Sequence, residues 1–273
     1  MSFYAVFGDP IAHSLSPKIH LSFAKEFNIP MQYQRTLSNE TEFIADFSFF
    51  RQSGGVGANV TSPLKSLAYS MADVLLENAQ IAGSVNTLYW KDKTLIGANT
   101  DGQGLINDLI SKGIPIKHKN ILIIGAGSSA SLILYYLSKF SPASITVVNR
   151  DKSKLDQLKA KYDIDIIDYD LLNSRNENMK CFDFILNISS AGLSGKSPNI
   201  SSEVLANSIC YDLNYGKNSE PFLTKAEEAD AKQVHCGLGM LVEQAALSFK
   251  LMHGVMPSTK EIKEDLLHES SFV

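Results

Sequence analysis

The segment Gly125-Ala126-Gly127-Ser128-Ser129-Ala130 follows the apolar run Asn120-Ile121-Leu122-Ile123-Ile124 and opens a second apolar stretch over residues 130–140. A strand that turns on glycines into a helix leaves little freedom. The first glycine allows the tight turn, the second lets an anionic group approach the backbone, and Ala130 lets the helix lie close to the sheet. The free amides of the helix start then face the anion. A β-branched run at 145–148 completes a βαβ unit, which reads as the start of a doubly wound, Rossmann-like domain for a nicotinamide dinucleotide. The alternative is a glycine turn that merely joins strand to helix.

At 273 residues with 44% apolar composition, two domains are expected. The formal net charge of −4 leaves no basic field for a nucleic-acid partner. No basic, apolar leader opens the chain and no run of eighteen apolar residues follows, which predicts a cytoplasmic protein without a membrane partner. Cys181, Cys210 and Cys236 match neither a disulfide framework nor a zinc knuckle and read as buried or inert thiols.

Before the glycine turn, strands are predicted at 4–7, 33–37 and 56–60 and helices at 16–27 and 41–52, an alternation that predicts a parallel sheet. Residues 87–90 and 94–98 read as a hairpin around Lys91-Asp92-Lys93. A helix from about 104 to before Gly113 serves as linker. Further strands at 182–187 and 209–213, a charged helix at 152–161 and a long helix at 239–253 complete the reading.

Polar residues gather after these strands, where open α/β sheets bind ligands. Hydride transfer to a ketone needs a proton donor, and Lys65, just past Thr61-Ser62-Pro63, is the leading candidate. A lone lysine is ordinarily solvated. A carboxylate in Asn99-Thr100-Asp101-Gly102 can orient it, and Ser84-Val85-Asn86-Thr87 arrives at another strand start. Ser14 and Ser16 precede Pro17; Ser16 reads as the helix N-cap, and the two hydroxyls as a cradle for a small carboxylate. His13 and His20 read as hydrogen-bonded structural histidines rather than metal ligands, and no metal is expected. After the 145–148 strand, Arg150, Lys152 and Lys154 suit a 2′-phosphate, whereas Asp151 argues for a free ribose hydroxyl.

Ser14-Leu15-Ser16-Pro17, Asn59-Val60-Thr61 with Pro63 and Lys65, Gly83-Ser84-Val85-Asn86-Thr87, Asn99-Thr100-Asp101-Gly102 and Gly237-Leu238-Gly239-Met240-Leu241 together resemble the shikimate dehydrogenase family, in its order, from about Tyr4 to Pro257. The resemblance implies a substrate-binding and catalytic domain at 1–101 and an NADP-binding Rossmann-like domain at 102–236. Helices at 237–273 would return to the first domain. It implies reversible NADPH-dependent reduction of 3-dehydroshikimate to shikimate, by a monomer or homodimer. Carried over by position, Lys65 and Asp101 are the catalytic pair, and Ser14, Ser16 and Tyr215 bind the substrate carboxylate. Thr61, Lys65, Asn86, Asp101 and Gln244 bind the ring oxygens. Gly125, Ala126, Gly127, Ser128, Ser129, Asn149, Arg150, Lys154, Leu213, Gly237 and Met240 bind the cofactor, with Glu77 a further candidate whose alternative is a solvent-facing helix glutamate. On the 239–253 helix, Ala245, Ala246 and Phe249 read as core and Gln244 as the single polar exception.

Ser128 and Ser129 replace the family's usual small residues in the glycine turn, and Asp151 and Ile188 stand where threonines are common. An NAD-preferring quinate/shikimate dehydrogenase is the nearest alternative. A non-catalytic dinucleotide sensor would need a broken catalytic set, and Lys65, Asp101 and Gln244 are all present.

Overall fold

A computed structural model describes residues 2–174 and 181–268. The chain forms two compact units, Met1–Gly104 with Leu241–Glu264, and Leu105–Met240 with the segment from Asp265 on. Residues 175–180 and 269–273, which fall within the expected second domain and C-terminal helices, lie outside the described residues.

The first unit runs β1 (Ser2–Gly8), α1 (Ser16–Glu26), β2 (Met31–Leu37), α2 (Phe43–Gln52), β3 (Gly55–Val60), α3 (Lys65–Met71), β4 (Val74–Leu75), α4 (Glu77–Ala82), β5 (Thr87–Lys91) and β6 (Thr94–Ala98), then enters α5 (Asp101–Ser111). Its sheet has the order β2-β1-β3-β5-β6-β4. The three strands expected to be parallel are so, and the expected hairpin joins their sheet. β1 is parallel to β2 and β3, but β5 runs antiparallel to β3 and forms the hairpin with β6. The stretch between Lys65 and Ala82, two short helices and the two-residue strand β4, returns the chain to the carboxyl end of β3, where Thr87 pairs with Asn59. These elements are too short to show a period in sequence. In α2, Phe43, Phe47 and Phe50 share one face by their i, i+4, i+7 spacing. Phe7 of β1 meets all three edge-on, with ring centroids 5.5–5.8 Å apart.

His20 of α1 meets the sequence reading only in part. It is buried and its Nδ1 has no hydrogen-bond partner; its ring stacks on Tyr33 at 4.5 Å instead. His13 is exposed. Burial, with His253 nearby, pushes the His20 imidazole down to about 3, so it stays neutral in the fold through mildly acidic pH. The unfolded chain takes up that proton near pH 6.5 and the folded chain does not, so stability falls as pH drops below about 6.5. By about pH 5.5 this one group removes about 1.4 kcal/mol. Denaturant titrations of the protein and of His20→Phe across this range check it; an equally steep acid limb in the variant would refute the assignment.

The second unit holds the rest of α5, β7 (Asn120–Ile124), α6 (Ala130–Ser138), β8 (Ser144–Val148), α7 (Lys152–Lys159), β9 (Asp165–Ile167), α8 (Tyr169–Asn173), β10 (Phe184–Asn187), α9 (Ser202–Leu205), β11 (Ile209–Asp212), α10 (Glu220–Glu228) and β12 (Gln233–Cys236). All its strand pairs are parallel, in the order β12-β11-β10-β7-β8-β9. Helices on both faces explain why the strands are continuous apolar runs. Ile121 and Ile123 of β7 enter one core, and Leu122 and Ile124 the other. The order reverses between β7 and β10, the switch point at which such sheets bind nucleotides. The chain continues through α11 (Leu238–His253) and α12 (Lys260–His268). Cys210 is buried and its thiol is pushed up to about 11, Cys236 is half-buried, and Cys181 is exposed rather than buried.

Candidate active site

In the first unit the polar turns predicted from sequence interlock. Lys65 is the first residue of α3, and its Nζ donates to Asp101 Oδ2 at 2.6 Å, with the side chains 22% and 13% exposed. Asp101 opens α5 where the sequence predicted a turn, because the Asn99 side chain accepts from the Asp101 backbone amide at 3.1 Å. Asn99 is itself held by the carbonyl and hydroxyl of Ser84. Asn86 is the hub. Its Nδ2 donates to Asp101 Oδ1 at 2.8 Å, Thr100 Oγ1 at 2.9 Å and Gln244 Oε1 at 3.2 Å, while its Oδ1 accepts from the Thr100 amide at 3.0 Å. The Lys65 carbonyl accepts from the Val85 amide, fixing the start of α3 to the segment just before β5 that carries Asn86.

Gln244 reaches this group because α11 and α5 approach closely: a Cβ on Gly104 would lie 2.7 Å from the Gln244 backbone nitrogen. Gln244 is not the only polar residue on its face. Ser248, one turn on and fully buried, accepts from Asn59 Nδ2 at 2.8 Å and from the Thr87 hydroxyl at 3.1 Å. Tyr33 completes that array by donating to Asn59 Oδ1 at 2.7 Å, and burial pushes its phenol well up. Sequence reasoning passed over Ser248 and Tyr33, since a hydroxyl among apolar residues carries no local signal.

Ser14 and Ser16 lie side by side, with their hydroxyls 3.2 Å apart. Ser16 is not the N-cap, because Leu15 is already helical (φ −83°, ψ −7°), so Ser16 falls within the first turn. The Ser14 hydroxyl accepts from the Ser16 amide instead, and Arg35 Nε holds the Ser14 carbonyl at 2.8 Å. Thr61 is partly exposed at the end of β3, anchored by its amide on the Phe7 carbonyl. Glu77 opens α4 and is exposed.

In the second unit the glycine turn has the conformation its composition predicts. Gly125 has φ +116°, a region that L side chains avoid, and a Cβ there would press on Ile188 and Ser189. A Cβ on Gly127 would meet nothing within 4 Å, so the backbone at the mouth of the turn is open to a ligand. Ser129 precedes α6 without a side-chain cap bond and Ser128 is exposed, while the Ala130 amide is taken by the Gly127 carbonyl at 3.0 Å and closes the turn. Ala126 and Ala130 are buried beneath. These residues fit a pyrophosphate.

Beyond β8, Arg150 is exposed and forms no ion pair among the described residues. Asp151, which in sequence argued for a ribose hydroxyl, is the N-cap of α7. Its carboxylate accepts from the Ser153 amide at 3.0 Å and hydroxyl at 2.8 Å, and these bonds hold it below the usual carboxylate range. Lys154 Nζ lies 4.0 Å from it, and Asn149 Nδ2 donates to its carbonyl. Gly237 follows β12, where a Cβ would overlap the Leu213 carbonyl, so only glycine allows that approach. Met240, near the start of α11, is buried, and Tyr215 is partly buried, its phenol pushed up by burial. Between β10 and β11 lies a buried array absent from the sequence reading, Asn187 bonded to Asp212 and Asp212 to Asn214.

Among the described residues no group of three or more His, Cys, Asp or Glu is placed to hold a metal, and no helix is long and apolar enough to cross a membrane. An ammonium–carboxylate pair in an amide network, with a glycine turn at the switch point of a parallel sheet, defines a dinucleotide-dependent oxidoreductase. Family models described as "Shikimate dehydrogenase substrate binding domain", "Shikimate / quinate 5-dehydrogenase" and "Shikimate 5'-dehydrogenase C-terminal domain" match residues 6–88, 108–207 and 237–267. A curated relative from Colwellia psychrerythraea, shikimate dehydrogenase (NADP(+)), is 41% identical over 96% of this chain and 95% of its own. The chain belongs to the shikimate dehydrogenase family. Among solved structures, an Ael1 enzyme from Pseudomonas putida superposes with a TM-score of 0.90 at 34% identity, over 97% of this chain and 98% of that one. The Thermus thermophilus shikimate 5-dehydrogenase in complex with NADP(H) and shikimate does so at 0.84 and 27%, with coverage of 97% and 98%.

Proposed function

We propose that the chain catalyses the reversible reduction of 3-dehydroshikimate to shikimate with NADPH, on the route to aromatic amino acids. The observation that carries this reading is the 2.6 Å bond between Lys65 and Asp101, held by Asn86 in a network that includes Gln244. The names of curated relatives and the NADP(H)–shikimate complex of the Thermus relative support it.

The bound nicotinamide supplies the hydride in reduction and takes it in oxidation. Lys65 holds a proton at Nζ for the nascent alkoxide, and Asp101 fixes the direction of that ammonium. Thr61, Asn86 and Gln244 offer donors and acceptors to the ring oxygens, and Ser14, Ser16 and Tyr215 take the carboxylate. Residues 1–101 then form the substrate and catalytic domain, 102–236 the cofactor domain, and the C-terminal stretch Leu241–Glu264 returns to the first. Gly125 through Ser129, Asn149, Arg150, Lys154, Leu213, Gly237 and Met240 would hold the dinucleotide, with Glu77 a further contact. Asp151, the feature in favour of NAD, is engaged in capping α7, which favours NADP. The enzyme works in the cytoplasm as a monomer or homodimer.

An absorbance assay at the nicotinamide band, offering shikimate and quinate each with NADP+ and NAD+, tests the reading. Fastest turnover is expected with shikimate and NADP+. Preference for NAD+ or quinate, or no turnover with any pair, overturns it.

A further inference from the structure

Asp212 ends β11 with its carboxylate fully buried, and nothing in the proposed chemistry uses it. Burial pushes it up to about 6, and the opposing influences are hydrogen bonds from Asn187 and Asn214, with no cation among them. An uncompensated buried carboxylate is costly and is kept where it fixes something.

What it fixes is visible in the bonds. Asp212 Oδ2 accepts from Asn187 Nδ2 at 2.8 Å, and its Oδ1 accepts from the backbone amide and side chain of Asn214, both at 2.8 Å. With its nitrogen committed, Asn187 turns its Oδ1 outward to accept the Ser189 amide at 3.1 Å and hydroxyl at 2.7 Å. Asn214 also donates to the Ser189 carbonyl at 3.3 Å. Asn187 sits in register with Ile124 on one side and Asp212 on the other, and Ile188 and Ser189 are the residues against Gly125. The array therefore lies at the switch point, behind the glycine turn.

We propose that Asp212 is a positioning residue for the dinucleotide: its carboxylate sets the donor–acceptor order that holds the Ile188–Ser189 turn against Gly125 and ties Asn214 to that turn. This rests on the NADP site proposed above. The order has only one solution. An amide at 212 that accepts from Asn214 must point its NH2 at the Asn187 NH2, and flipping Asn187 points that NH2 at the Ser189 amide. Either way a buried donor is orphaned.

The test is calorimetric titration of NADP+ into the full chain without substrate. Asp212→Asn should weaken binding roughly tenfold. The exchange Asn187→Asp with Asp212→Asn should restore it, because a carboxylate at 187 accepts both from Ser189 and from the amide at 212. A merely structural loss of charge at 212 would not be rescued by that swap. Should Asp212→Asn fail to fold, Asn214→Ala keeps the carboxylate and is expected to weaken binding several-fold. Unchanged affinity in the variant measured, or no recovery in the exchange, overturns the proposal. Absence of NADP+ binding by the unaltered protein would instead overturn the cofactor reading.

Discussion

Replacing Lys65 by alanine lowers turnover by about 10²- to 10⁴-fold, the range of a lost general acid–base, while the dissociation constant for NADP+ changes little. The expectation follows from where the residue is fastened. Its backbone carbonyl, which accepts from Val85, survives the substitution, and α3 continues to Met71. What disappears is the Nζ–Asp101 bond. Asp101 keeps its bond from Asn86, so the network stands without its proton donor. Because the pair acts as a unit, adding Asp101→Asn should cost little more than Lys65→Ala alone, whereas two independent groups would multiply their losses. Steady-state kcat and fluorescence titration of NADP+ read the two quantities separately. Turnover within a few-fold of the unaltered enzyme would remove Lys65 from the mechanism.

The second large effect is expected at the adenosine end of the cofactor. Arg150→Ala should raise KM for NADPH by roughly ten- to a hundredfold and leave that for NADH nearly unchanged, since a charge-assisted pair with a phosphate contributes about 1.5–3 kcal/mol. Arg150 is exposed with no ion pair among the described residues, so its guanidinium is available to a 2′-phosphate. Asp151→Ala gives the contrasting result. Its carboxylate is turned onto Ser153, so its loss should cost about 1 kcal/mol of stability, as cap removal does, without shifting cofactor preference towards NADH. Both variants are to be compared at one fixed ionic strength, because the phosphate contact is screened by salt. An unchanged NADPH-to-NADH ratio in Arg150→Ala would dismiss the proposed clamp.

Asp151 also shows how far residue types reach. In sequence an acid after the second strand of a βαβ unit weighs towards a ribose hydroxyl, because its position is visible and its bonds are not. Only the coordinates of Ser153 reveal that the acid caps a helix. Ser16 is the mirror case, a residue that looks like a cap and lies inside the helix because Leu15 has already entered it. Cap identity depends on the φ and ψ of one residue, which neighbouring side chains do not announce.

The sequence alone determined the second unit's βαβ start. Its signals are local: the apolar run Ile121–Ile124, a glycine at 125 where φ is positive, and an alanine beneath the helix, so the chain needs no distant partner to declare them. It also marked, as separate short motifs, the polar residues that gather around Lys65 and Asp101. The tertiary structure decided how they meet. Asn86, Thr100 and Gln244 are brought together from segments up to 158 residues apart by strand order and the approach of two helices. The antiparallel turn of β5, the Ser248–Asn59–Tyr33 array and the Asn187–Asp212 pair were decided there as well. Each rests on hydrogen-bond complementarity between strands and helices distant in sequence, and a pairing of that kind leaves no periodic trace in either partner alone.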